Sequence, residues 1–152
     1  MNRKIKFRAK GTLNDNIWYY GAYFEHMKRL PSPIGDCLKE NDMEYLIISN
    51  GLADWNMPTP ISITSINPNT VGQYIGINDK YGKEIYEDDI VICIYNGRKT
   101  LRKIVFDLEE LDFKATNGKE NYNNNVDYIK CCEEIEVVGN VYDNPELLKK
   151  II

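Results

Sequence analysis

A single histidine, His26, limits the chemistry open to this chain of 152 residues. A multi-histidine metal site is excluded within one chain, and the sequence gives His26 no recognisable partners for a catalytic triad. The four cysteines are Cys37, Cys93, Cys131 and Cys132. They contain no Cys-x-x-Cys pair, the usual mark of a thiolate zinc site. Cys93 lies inside the apolar run IVICIY and reads as a small core residue. Adjacent Cys131 and Cys132 point to opposite faces if that stretch is extended.

Carboxylates gather in three places: Glu84, Glu87, Asp88 and Asp89; Asp107, Glu109, Glu110 and Asp112; and Glu133, Glu134 and Glu136. A divalent cation needs converging oxygens. The second group superficially resembles a calcium loop, but the required glycine and final glutamate are misplaced. Such runs are read as solvated faces, so no metal and no cofactor is expected. The glycines are scattered as turn formers, without a phosphate-cradling loop or dinucleotide fingerprint. The chain is therefore expected not to be an enzyme. A metal-dependent phosphoester hydrolase built on the acidic groups stays open as a second alternative.

The aromatics say more. Trp18, Tyr19, Tyr20, Tyr23 and Phe24 crowd one segment, beside the cations Lys4, Lys6, Arg8 and Lys10. Alternation sends about half of these rings into a core. The others suit a protein interface, where aromatics are enriched, or stacking against single-stranded nucleic acid. The surface predicted to carry interactions consists of Lys4, Lys6, Arg8, Trp18, Tyr20 and Tyr23. Net charge is −4, divided as +4 over residues 1–40 and −8 over 41–152. An acidic chain is a poor general binder of phosphate backbones, although a local basic patch remains. Opposite poles favour head-to-tail self-association, weakly and in a salt-sensitive way. Protein contacts, first with copies of itself and then with another protein, are preferred. Nucleic-acid binding is the alternative.

The elements that position these groups are short strands. Residues 4–10 alternate, with Ile5, Phe7 and Ala9 facing one way and Lys4, Lys6, Arg8 and Lys10 the other. After a turn at 11–16, residues 17–24 supply a second strand, predicted to form an antiparallel hairpin with the first. Residues 25–42, with Pro31, Pro33 and Gly35, read as a loop or variable insertion. Residues 43–49 form a strand ending at Asn50-Gly51, a strong short-hairpin signal. Residues 52–60 are a connection, and Ile61 and Ile63, extending towards Ile66, alternate with Ser62 and Thr64 in another strand. Further strands are predicted at 71–77, 90–95, 101–107, 111–115 and 135–138. The polar run 121–125 reads as a loop. Asn144 as cap, Pro145 in the first turn, Glu146 near the positive end and Lys149 and Lys150 near the other mark a short C-terminal helix. It must dock to persist.

Short strands and Gly/Asn turns predict a mainly β fold, all-β to α+β: a small β-barrel or sandwich of antiparallel strands closed by a short helix. A division into an N-terminal β region, 1–70, and a C-terminal small barrel with its helix, 71–152, is expected, within one continuous domain or as two. Alanine, the best helix former, occurs only at 9, 22, 53 and 115. With 43% hydrophobic and 28% charged residues the chain can bury a core. No apolar run reaches the roughly 20 residues that span a bilayer. The basic start, Met1 to Lys6, has no apolar stretch behind it. A soluble cytoplasmic protein with no membrane partner is expected.

Four stretches carry a resemblance: IKFRA at 5–9, VGQYIGINDKYGKEIYEDDIV at 71–91, IEVVGNV at 135–141 and YDNPELL at 142–148. In this order they resemble the YopX family of phage and prophage proteins. The likeness covers about half the residues and reaches both ends of the chain. Where the family reads closer to YTGL, this chain has Tyr74-Ile75-Gly76-Ile77. Where the family reads EGD, it has Glu87-Asp88-Asp89. If the family glycine holds a positive φ, Asp88 is among the better replacements, and Ile75 suggests a more apolar site. The resemblance implies a mainly β, self-assembling accessory protein of temperate phages and prophages, acting in the cytoplasm of the bacterial host on a host or phage protein, with no established activity and no catalytic residue to transfer.

Overall fold

The computed structural model describes residues 4–14, 16–118 and 126–151. The predicted loop at 121–125 lies outside the described residues, as do the first three residues of the basic start. Eleven strands and one helix are described. They are β1 (Phe7–Lys10), β2 (Trp18–Met27), β3 (Met43–Asn50), β4 (Ile61–Ser65), β5 (Gly72–Asn78), β6 (Glu84–Tyr86), β7 (Asp89–Tyr95), β8 (Arg98–Asp107), β9 (Asp112–Thr116), β10 (Val126–Tyr128), β11 (Glu134–Asn140) and α1 (Pro145–Ile151). The fold is mainly β and antiparallel, with the short C-terminal helix where Asn144-Pro145-Glu146 marks its start. That helix is not long and apolar enough to cross a membrane. Two compact units divide the chain. The first holds Ile5–Gly72; the second holds Gln73–Ile152, with Lys4 belonging to it.

In the first unit the strand order is β4-β3-β2-β1. Phe7, Ala9, Tyr19 and Tyr23 share one face because β1 and β2 pair Phe7 with Gly21 and Ala9 with Tyr19. That face closes over a small core of Ala9, Ile47 and Ile66, with Tyr45 and Val71 packed against it. The sheet curls. An isolated bridge joins Gly11 to Ile66. The Thr12 N–H donates to the Ser65 carbonyl at 3.1 Å, and the Asn67 N–H donates to that of Lys10 at 2.9 Å. The first and last strands thus meet at one end only. Gly21 allows the close approach: a Cβ there would lie 2.1 Å from the Ile48 carbonyl oxygen. The Asn50-Gly51 signal does not produce a tight turn. β3 and β4 do pair, from Asn50 with Ile61 to Leu46 with Ser65, but around a wide loop, 51–60, closed by the Gly51 N–H donating to the Pro60 carbonyl at 2.7 Å.

In the second unit the order is β10-β9-β8-β7-β11. The β5–β6 hairpin packs over one face of this sheet through Ile75 and Ile85, against Val91, Cys93, Ile104, Ala115 and Ile135. Ile75, where the family resemblance has a threonine, thus packs at the edge of the apolar core. α1 buries Ile151 and, with Leu148, lies beside Lys103 and Val105, whose side chains alternate with that of Ile104 along β8. The result is sandwich-like layering. The expected small barrel does not close, because β10 and β11 remain sheet edges among the described strands.

Charged side chains organise this second core. Asp79 accepts the N–H groups of Tyr81 at 2.8 Å, Lys83 at 2.9 Å and Val137 at 3.2 Å. It thereby ties the β5–β6 turn to β11. Burial alone would push its carboxyl up, but the three N–H donors and nearby Lys83 hold it below the ordinary value. Asp89, 1% exposed, accepts from the Tyr86 N–H at 2.8 Å. Lys114, also 1% exposed, reaches Asp107 at 2.5 Å and Glu110 at 2.9 Å. These carboxylates outweigh the burial that would lower the Lys114 ammonium and instead raise it. In turn, Lys114 and two N–H donors keep Asp107 below the usual carboxylate value. Asp88 does adopt a left-handed conformation, φ 63°, and its side chain accepts from the Tyr142 hydroxyl at 2.8 Å and pairs with Lys103 at 3.0 Å.

Candidate interaction surface

The outward face of the first unit is set by register. Pairing of Arg8 with Tyr20 and Lys10 with Trp18 places cations and rings side by side. Further across, Ala22, Ile48 and Ile63 form one row, and Phe24, Leu46 and Ser65 the next. Along β4, Ile61 and Ile63 alternate with Ser62 and Thr64, so both isoleucines point away from the core while the two hydroxyl residues face it. Ile61 is 74% exposed and Ile63 62%. Phe24 and Tyr20 are about half exposed. The neighbouring loop adds Leu52, Trp55 and Met57, all exposed. A face of β-branched and aromatic side chains is thus left in water beside a cationic edge.

The structure brings four of the six predicted surface residues together. The Lys6 ammonium stands 5.4 Å from the Tyr20 ring centre, and the Arg8 guanidinium 4.7 Å from that of Trp18. Lys10 also approaches Trp18, at 5.6 Å. Such pairs hold a cation by the ring's negative face. Arg8 is only 5% exposed, so it acts chiefly as packing and charge under Trp18. Two predicted residues fall elsewhere. Tyr23 faces the core side, its ring 5.7 Å from that of Phe7. Burial, and then Glu25, which accepts its hydroxyl at 2.9 Å, push it up to about 12. Its odd position in β2, opposite in parity to Trp18 and Tyr20, is the signal that separates it from the cationic face. Lys4 belongs to the second unit and pairs with Glu84 at 3.1 Å. His26 stacks on Phe24 with centres 6.4 Å apart.

The isoleucines of β4 and the exposed loop were not singled out by sequence reasoning. Their signal was present: β4 holds apolar residues on one parity only, and the apolar parity turned out to be the outer one.

The second unit holds a cavity of about 500 Å³ lined by Tyr95, Arg98, Thr100, Arg102, Asp127 and Tyr128 among others. Asp127 is fixed by the Arg102 Nε at 2.7 Å and the Thr100 hydroxyl at 2.9 Å. Arg102 therefore spends its charge within the fold. Beside it the Cys93 and Cys132 thiols meet. The Cys132 thiol donates to the Tyr128 carbonyl at 3.5 Å; the proximity of the two thiols, then burial, raises Cys93, and the same proximity lowers Cys132. Cys93 is fully buried, as its place in an apolar run implies. The acidic groups read as solvated faces are largely bound into the fold. Beyond Asp88, Asp89 and Asp107, Glu84 accepts from the Tyr86 hydroxyl at 2.6 Å, Glu87 from the Gln73 N–H at 2.8 Å, and Glu136 pairs with Lys80 at 2.6 Å.

Comparison with known proteins gives three findings. No curated protein matches the chain. Among solved structures, the crystal structure of protein EF1440 from Enterococcus faecalis is similar over 96% of this chain and 99% of that one, with 22% sequence identity and a TM-score of 0.49. The family model described as YopX protein matches residues 6–149. That match takes in all four resembling stretches apart from the first residue of the first, together with the segments between them, so the chain belongs to the YopX family.

Proposed function

We propose that this chain is a non-enzymatic accessory protein of a phage or prophage, working in the bacterial cytoplasm through protein contacts, first with copies of itself. One observation carries the reading. The first unit leaves Ile61, Ile63, Phe24 and Tyr20 exposed on one sheet face although its own core is small. Contiguous apolar surface of this kind marks interaction sites. The cation–ring pairs at its edge add the polar rim that protein interfaces show.

The same pairs argue against single-stranded nucleic acid as the first partner. A base stacks on an open ring face, whereas Tyr20 and Trp18 each have a cation over the ring. Light scattering coupled to size exclusion, over a range of concentrations, tests the reading. The expected result is a mass above the 17.7 kDa of one chain that falls on dilution. A constant monomer at high micromolar concentration, with no protein partner captured by the outer face, overturns it.

A further inference from the structure

The β4 strand is a sheet edge built in a way that suits pairing with itself. Backbone bonds on either side of β4 fix which of its groups face outward. The Gly51 N–H donates to Pro60, and the Ile66 N–H donates to Tyr45. Residues 60 and 66 therefore point towards β3, and by the period of two so do 62 and 64. The N–H and C=O groups of 61, 63 and 65 point outward. The Ser65 carbonyl is taken by the N–H and the hydroxyl of Thr12, at 3.1 and 3.3 Å. Among the described residues, none pairs with the outward groups of Ile61 and Ile63.

Exposed edges in native sheets are usually guarded by a lysine, a proline, an inward charge or a bulge. Within Ile61–Ser65 there is none of these: the sequence is ISITS and its register with β3 is unbroken. The exposed isoleucines belong to the same two residues whose backbone groups are open.

We propose that β4 pairs antiparallel with β4 of a second copy, about a two-fold axis passing at Ser62. This rests on the self-association reading above and specifies its surface. In that register Ile61 meets Ile63 of the second copy in a hydrogen-bonded pair, twice by symmetry, so the four outward groups of Ile61 and Ile63 on each edge are satisfied. Ser62 meets Ser62 in a non-hydrogen-bonded pair. The isoleucines of both copies come together on one face, next to Ile48 and Ala22 of each sheet. Two features favour a second copy over an unrelated strand. Ile61 and Ile63 are the two residues with both outward backbone groups open, and an antiparallel copy matches those groups reciprocally. The strand carries no charge, so self-pairing brings no like charges together. An isologous contact of this kind also closes, giving a dimer and not a fibre.

The test joins two variants. Ser62→Cys places thiols across the axis, where Cα atoms of a non-hydrogen-bonded pair stand about 4.5 Å apart, within disulfide range. Mild oxidation should give a reducible dimer. Wild type, with its exposed Cys37 and Cys131, and Thr64→Cys serve as controls and should give none. Ile63→Pro removes an outward N–H and no internal bond. It should keep the far-UV circular dichroism of the wild type and weaken self-association at least tenfold. A wild type that self-associates, with Ser62→Cys that does not cross-link and Ile63→Pro that associates unchanged, overturns the β4 pairing and leaves self-association standing. A wild type that stays monomeric, with no Ser62→Cys cross-link, overturns both. If the edge is instead occupied by another protein whose binding Ile63→Pro abolishes, the copy-on-copy pairing is wrong.

Discussion

The two units differ in how much of their core is charged. The second takes charges inside and satisfies them: Asp79 with three N–H donors, Lys114 with Asp107 and Glu110, and Asp89 with Tyr86. The first has a small apolar core and leaves aliphatic side chains in water. Removing one partner of a buried charge pair is costly, because it leaves the other charge buried and unpaired. An exposed isoleucine costs little to replace unless something covers it. The proposed contact is therefore placed on the first unit, where the exposed isoleucines share one sheet face.

The sharpest way to break this contrast is at a backbone approach in the first unit. Gly21→Val puts side-chain atoms where a Cβ already lies 2.1 Å from the Ile48 carbonyl oxygen. It should destabilise the first unit by about 3 kcal/mol or more, seen as an early phase in chemical denaturation. If the unfolding is unchanged, the β2–β3 approach is not as described.

A middle-sized effect is expected at Asp79. Asp79→Asn keeps one accepting oxygen but cannot accept from the Val137 N–H as the carboxylate does. It should cost about 1–3 kcal/mol and be read in the thermal midpoint. Its pH dependence has a definite sign. A carboxyl held below its unfolded value, about 3.9, contributes stability above that pH and loses it as pH falls through the folded value. Asp79 and Asp107 are both lowered, so wild-type stability should drop below about pH 4. The Asn variant should drop less steeply. An equal slope removes Asp79 from the account.

The smallest effect on stability is expected on the outer face. Ile61→Ser with Ile63→Ser should change monomer stability by less than about 1 kcal/mol, while self-association weakens strongly. A large loss of stability at concentrations where the chain is monomeric would mean that these side chains are already packed within one chain.

Much of this fold was legible in particular residues. The parity of Phe7 and Ala9 against Arg8 and Lys10 gave the core side of β1, and Asn144-Pro145-Glu146 placed α1. Asp88, read as a replacement for glycine, does hold a positive φ. The connection read at 52–60 between two strands is present, and it makes Asn50-Gly51 the mouth of a wide loop closed by Gly51 and Pro60 in place of a two-residue turn. The candidate surface was legible only in part. Lys6, Arg8, Trp18 and Tyr20 do meet, but Tyr23 and Lys4 do not join them.

Local chemistry was settled by the chain itself: which stretches are extended, where turns need Gly, Asn or Asp, and how the terminal helix begins. Those features depend on neighbours a few residues away. Which side of each strand is buried was a tertiary decision. Alternation defines two faces of β4 but not which meets the core, and the curl that joins Gly11 to Ile66 turned Ser62 and Thr64 inward and Ile61 and Ile63 outward. The exposed face and the open edge exist only because contacts more than fifty residues apart in sequence fixed that choice.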